Sequence, residues 1–169
     1  IIVFTGRPNT PSRGGATTAD FIDWRARSST LEDWHMFSSR SPMVAIGEDL
    51  PEPLMLQHVT PGLLESLGVR PVIGRLFQHG EEGGNPLLIS ERYWRLRFGA
   101  KSDVLGKKLF VGDGVHTIIG VVPAGFELFD EPSGIDLWNT IDLAPGSKWV
   151  QRRIPWLMAT AKLKPNVSL

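Results

Sequence analysis

Glycine and proline supply 18 and 13 of the 169 residues and are scattered along the whole chain. Glycine frees the backbone, and proline fixes φ and removes a donor, so both interrupt regular structure. Few segments between them are long enough for more than three helical turns. The chain is therefore restricted to short elements joined by many turns. At this length it still has enough residues to bury a core as one domain.

The segments between these breaks have distinct patterns. Residues 1–4 read as a first strand, and residues 7–15 as a loop. A helix is expected from Thr17 or Thr18, either of which can cap its first amides, with Asp20 in the first turn and Phe21 and Trp24 on one face. The capping pattern recurs over residues 30–33 and predicts a short turn or helix carrying Leu31 and Trp34. Residues 43–46 and 54–59 are strand-like, with a turn over 47–53. Thr60 and Pro61 predict the cap and first position of a helix whose apolar stripe is Leu63, Leu64 and Leu67 and whose end is Gly68.

Further on, residues 69–77 are extended and broken, 78–85 are a polar loop, and 87–89 are a buried strand. Ser90 caps a helix over 91–98 that Gly99 closes. Residues 109–111 and 115–122 predict a hairpin turned by Asp113 and Gly114. A loop with Phe126 and Phe129 covers 123–134, a strand 135–141, an interrupted segment 149–155 and a last strand 157–163. Residues 165–168 read as the start of another helix. Interleaved helices and strands with a hairpin predict an α+β fold with a mixed or antiparallel sheet.

Charge and composition narrow the function. Eighteen basic residues balance eighteen acidic ones, which argues against a broad nucleic-acid-binding face and against a disordered acidic chain. With no cysteine, disulfides, thiolate metal sites and catalytic cysteine are excluded. No stretch approaches the roughly 18 to 20 apolar residues of a membrane span. The opening residues have neither the basic region nor the cleavage site of a signal peptide, so the chain reads as a piece of something longer.

A search for chemistry yields no catalytic, cofactor-binding or metal-ligating residue. His35, His58, His79 and His116 show no short metal-binding spacing. Gly112 and Gly114 lack the third glycine of a dinucleotide loop, where Thr117 stands. Gly106 and Lys107 lack the hydroxyl of a phosphate loop, where Lys108 stands. Ser90 has the strand-to-helix placement of a hydrolase nucleophile, but Leu88 and Arg92 replace the flanking glycines, so a helix cap is the better reading. The carboxylate pairs Glu48-Asp49, Glu81-Glu82 and Asp130-Glu131 fall in polar loops and read as solvated charge. Among six tryptophans, Trp24, Trp94 and Trp138 sit in apolar patterns, whereas Trp149 and Trp156 are candidates for surface contacts.

Several segments, taken in order, resemble the MacB-like periplasmic core domain of ABC-type permeases, and most closely the duplicated orphan permeases of acidobacteria. The carriers are residues 20–25 and 31–33, 59–61 running through 67–71 to 74–75, then 88–90 with 93–95 and 98–99. They continue with 104–107, 118–123 with 125–126, 136–138 and 161–165. The resemblance implies a two-lobed extracytoplasmic domain inserted between two transmembrane helices. A porter-like α/β lobe would take residues 1–57 and 136–169, and a smaller inserted α+β lobe 58–135. It further implies membrane anchoring in the inner membrane, a cytoplasmic ABC ATPase partner, a periplasmic adaptor, no cofactor, and a non-enzymatic role in export or efflux that relays movement. The competing reading is a soluble carbohydrate- or peptide-binding module that uses exposed tryptophans.

Overall fold

The computed structural model describes residues 2–3, 15–46, 51–81, 84–112, 114–126, 128, 134–147, 149–150 and 156–167. All but Gly15 of the expected loop over 7–15, most of the turn over 47–53, residues 151–155 of the interrupted segment, and Phe129, Asp113, Glu48, Asp49, Glu82, Asp130 and Glu131 lie outside the described residues.

Among the described residues ten strands and three α-helices follow in the order β1 (Ile2–Val3), α1 (Thr18–Arg27), β2 (Leu31–Ser38), β3 (Ser41–Ile46), β4 (Glu52–Val59), α2 (Leu63–Ser66), β5 (Ile73–Gly74), β6 (Pro86–Ser90), α3 (Glu91–Phe98), β7 (Lys108–Val111), β8 (Gly114–Val122), β9 (Leu137–Thr140) and β10 (Leu157–Leu163). They form one mixed sheet in the order β1-β10-β2-β4-β3-β7-β8-β6-β9, with β5 on β8. The pairs β6–β8 and β4–β9 are parallel and the others antiparallel. Because β9 also pairs with β4, six strands close into a ring, and β2, β10 and β1 extend from it.

The two longer helices form where capping chemistry and apolar spacing agree. The Thr17 hydroxyl accepts the Asp20 N–H at 3.1 Å and starts α1, which buries Phe21 edge-on against Trp34. Ser90 accepts the Tyr93 N–H at 3.1 Å and starts α3, and Gly99 ends it at φ 58°, a conformation that costs glycine little. Tyr93 and Trp94 of α3 then join Leu56, Leu87, Ile89, Ile118 and Leu137 in one core cluster. A second cluster gathers Phe37, Val59, Leu63, Leu88 and Trp138. A third, under α1, gathers Ala16, Phe21, Met36, Ile141, Leu157 and Ala159.

Two expectations fail. Residues 31–34 belong to β2, not to a helix, because β10 offers this segment a ladder partner from Leu157 to Leu163. Between Thr160 and Lys162 the register shifts, and Asp33 sits in the bulge at φ 51° with its carboxylate bonded to Ser66. The helix expected from Thr60 to Gly68 shrinks to the single turn Leu63–Ser66, headed by Gly62 at φ 88°. The Thr60 hydroxyl is held by the main chain of β2 and cannot cap it. Gly68 does close the turn, at φ 79°, with the Val69 N–H donating to Leu64 O.

Candidate functional site

The point where β2 meets β4 is the narrowest join in the sheet. Only Phe37 and Val59 are in ladder register there. One further backbone bond and several side chains supply the remaining connections. Thr60 is the central one: its N–H donates to Met36 O at 2.9 Å, and its hydroxyl accepts the Met36 N–H at 2.9 Å. One residue thus satisfies both backbone groups of a buried β2 residue. On the other side, the Ser38 hydroxyl accepts the His58 N–H at 2.9 Å and Ser38 O accepts from Gln57 Nε2 at 3.0 Å. Gln57 is fully buried, and its amide oxygen accepts Trp138 Nε1–H at 3.1 Å. Buried polar groups at the seam are therefore paired, as their desolvation requires.

One end of this seam is polar. The β2 bulge presents Asp33 to three partners. Its carboxylate accepts from Ser66 Oγ at 2.5 Å and Lys162 Nζ at 2.6 Å, and lies 2.8 Å from His35 Nε2. These residues belong to β2, β10 and the turn α2. Burial works to raise the Asp33 pKa, but the hydrogen bonds from Lys162, Ser66 and His35 outweigh it and hold the carboxyl well below the carboxylate range. Burial lowers the His35 pKa from 6.5, against the pull of Asp33. Arg75 grips Glu81 through two bonds of 2.7 and 2.6 Å and closes the loop that brings His79 over Gly62, beside His35. His35 and His79 are thus neighbours, which their sequence separation does not suggest.

The other end is aromatic. Trp149 and Trp156 stack at 5.6 Å and 25°, and the His58 ring meets both edge-on at 4.8 and 5.8 Å. His58 Nδ1 also contacts Asn139 Oδ1 on β9. The two surface tryptophans face one another, which leaves no pair of open coplanar indoles for a sugar. Trp94 and Trp138 are buried and Trp24 packs partly against the third cluster.

The remaining candidates occupy structural positions. Ser90 is 8 % exposed and its hydroxyl holds the helix cap. Gly112 lies in the β7–β8 turn at φ 63°, and Gly106 lies in a turn at φ 86°. Among the described residues no group of three or more His, Asp or Glu is placed to hold a metal ion. No helix among them is long and apolar enough to cross a membrane. Sequence reasoning missed Asp33, Thr60 and Lys162. Only the polar pair Asp33 and His35, two apart in a strand that ends in buried Met36 and Phe37, could have drawn attention.

Comparison with known proteins gives this arrangement a class. The model of the MacB-like periplasmic core domain matches residues 1–169. The periplasmic region of MacB from Actinobacillus actinomycetemcomitans superposes with a TM-score of 0.71 at 14 % identity, covering 99 % of this chain and 74 % of that one. A permease domain from Porphyromonas gingivalis gives 0.68 at 21 % identity, with 92 % and 71 % covered. The extracellular domain of the noncanonic ABC-type transporter YknZ from Gram-positive bacteria gives 0.64 at 14 % identity, with 98 % and 83 % covered. No curated protein matches significantly. The chain belongs to the MacB-like periplasmic core domain family. It is the periplasmic domain of an ABC-type transporter permease.

Proposed function

We propose that this domain relays ATP-driven movement of the permease's transmembrane helices to a periplasmic partner or cargo, in export or efflux, and has no catalysis of its own. The observation that carries the reading is the antiparallel pairing of β1 with β10, which sets Ile2 opposite Thr160. A domain inserted between two membrane helices needs both connections on one side, and neighbouring first and last strands meet that need. The seam supports the relay, because movement passes through a join that side chains hold more readily than through a continuous ladder.

In this reading residues 1–57 and 136–169 form a porter-like α/β lobe and residues 58–135 a smaller inserted one. The cluster of Ala16, Phe21, Met36, Ile141, Leu157 and Ala159 draws only on the first set. β3 and β9 make the join by reaching across to β7 and β6. The partners are a cytoplasmic ABC ATPase, reached through the membrane helices, and a periplasmic adaptor. The domain stands on the periplasmic side of the inner membrane, in a permease of the duplicated orphan type.

The test is a distance measurement in the full-length permease with its ATPase. Spin labels are placed on the exposed sites Ala26→Cys of α1 and Leu96→Cys of α3, with any other cysteine replaced. Pulsed electron resonance then compares the nucleotide-free and ATP-trapped states. The relay predicts a shifted distance distribution. An unchanged distribution, with ATP hydrolysis intact, overturns it.

A further inference from the structure

A cleft of about 540 Å³ opens between the end of α3 and the start of β7, with Glu52 at the start of β4 also lining it. Its apolar surface comes from buried Tyr93 and Leu109, with Phe98 edge-on to Tyr93 at 5.8 Å. Its rim carries four cations, Arg97, Lys101, Lys107 and Lys108, against two carboxylates, Glu52 and Asp103. The chain as a whole has no net charge, so this excess is local. The two carboxylates do not cancel it. Glu52 Oε1 accepts from Tyr93 Oη at 2.7 Å and Arg97 Nε at 3.0 Å, so one cation is already committed to it. Asp103 lies 3.5 Å from Lys107 Nζ, which also stands 5.7 Å from the Phe98 ring centre. Lys101 and Lys108, both exposed, have no carboxylate partner among the described residues. Nor do the carbonyls at the end of α3 repel an anion strongly, since Trp94 O accepts the Gly99 and Ala100 N–H groups and Phe98 O accepts that of Lys101.

We propose that this cleft binds a carboxylate carried on an apolar stem, with the stem on Tyr93, Phe98 and Leu109 and the charge between Lys101 and Lys108. The volume lies within the usual range of small-ligand sites, and the lining sets Tyr93, Phe98 and Leu109 beside an excess of cations. Such a group can come from a free aromatic acid or from the chain end of a peptide with an apolar last residue. The open rim leaves the ammonium groups in water, so binding is roughly millimolar and weakens with salt.

The experiment follows the NMR signals of Tyr93, Phe98 and Leu109 during titration with 4-phenylbutyrate, acetate and 4-phenylbutanol. Gly-Gly-Gly-Gly-Phe is added with a free and with an amidated C-terminus. Phenylbutyrate is expected to saturate the shifts several-fold more tightly than acetate or the alcohol. Lys101→Ala with Lys108→Ala weakens it about fivefold or more at unchanged thermal stability, and the Lys→Arg pair restores it. Response to the free-ended peptide alone among the peptides assigns a chain end, and response only to the small acid assigns a free ligand. Absence of saturation, equal binding of acetate and phenylbutyrate, or full binding by the double alanine variant overturns the proposal.

Discussion

Replacing Thr60 by Val tests the seam directly. The side chains have nearly the same shape, the site is 4 % exposed, and the substitution removes one hydroxyl. That hydroxyl holds the Met36 N–H, and Met36 is fully buried. With valine the N–H has no acceptor and no access to water, which costs about 1–3 kcal/mol. The backbone bond from Thr60 N–H to Met36 O survives, and the hydroxyl's longer contacts with Met36 O at 3.3 Å and His35 Nδ1 at 3.4 Å go with it, so the Met36 N–H bond at 2.9 Å is the shortest one lost. Thr60→Ser keeps the hydroxyl and loses a methyl group, worth about 0.8 kcal/mol. Urea unfolding should therefore rank wild type, Thr60→Ser and Thr60→Val in falling order. Hydrogen exchange at the Met36 amide should speed up by about 5- to 150-fold in Thr60→Val, matching the same energy range. If the Met36 amide exchanges at the wild-type rate in Thr60→Val, the seam is not held by this bond and the reasoning fails.

Three further outcomes follow from other sites. Asp136 is buried and accepts from the Met55 N–H at 3.0 Å and from Arg92. Asp136→Ala should cost about 2–4 kcal/mol in urea unfolding, whereas Arg92→Ala, whose side chain is mostly exposed, should cost about 1 kcal/mol or less; equal losses would contradict this. Acid should weaken the fold in two stages. His35, lowered below 6.5 by burial, takes its proton later in the folded than in the unfolded chain, so stability falls as pH drops below about 6.5. Asp33, held below the carboxylate range, adds stability above about pH 4 that is lost as pH falls through its folded pKa. An NMR titration placing His35 above 6.5 would refute the first stage. Ser90→Ala should lower stability by about 1 kcal/mol through loss of the α3 cap, read as a Tm shift of roughly 2–4 °C; an unchanged Tm would count against the cap.

The elements that sequence reasoning located are those whose determinants are local. Ser90, the apolar pair Tyr93 and Trp94, and Gly99 lie within ten residues and suffice to mark α3. β10 was bounded by its apolar run alone. Where a distant partner decides, the local reading fails. Thr30 and Asp33 carry a capping pattern, but β10 competes for the same backbone and wins, because a ladder satisfies every second amide. Thr60 followed by proline looks like a helix start until β2 claims its hydroxyl. The Asp33 cluster was illegible for the same reason: Ser66 lies 33 residues away, and Lys162 reaches it only because β10 pairs with β2.

The closed ring has a consequence for how the chain reaches this state. Its closing pair joins β4 to β9, whose residues stand 81 apart in sequence, as Gln57 and Trp138 do. The β3–β4 and β7–β8 hairpins can form early from nearby residues, but the β4–β9 pair must wait for the intervening chain to be ordered. Until then one side of β4 and one side of β9 are bare and can take up a strand from another molecule. The interval in which a newly made chain is open to such mispairing is therefore set by the ordering of all the elements between β4 and β9 rather than by the stability of any single strand.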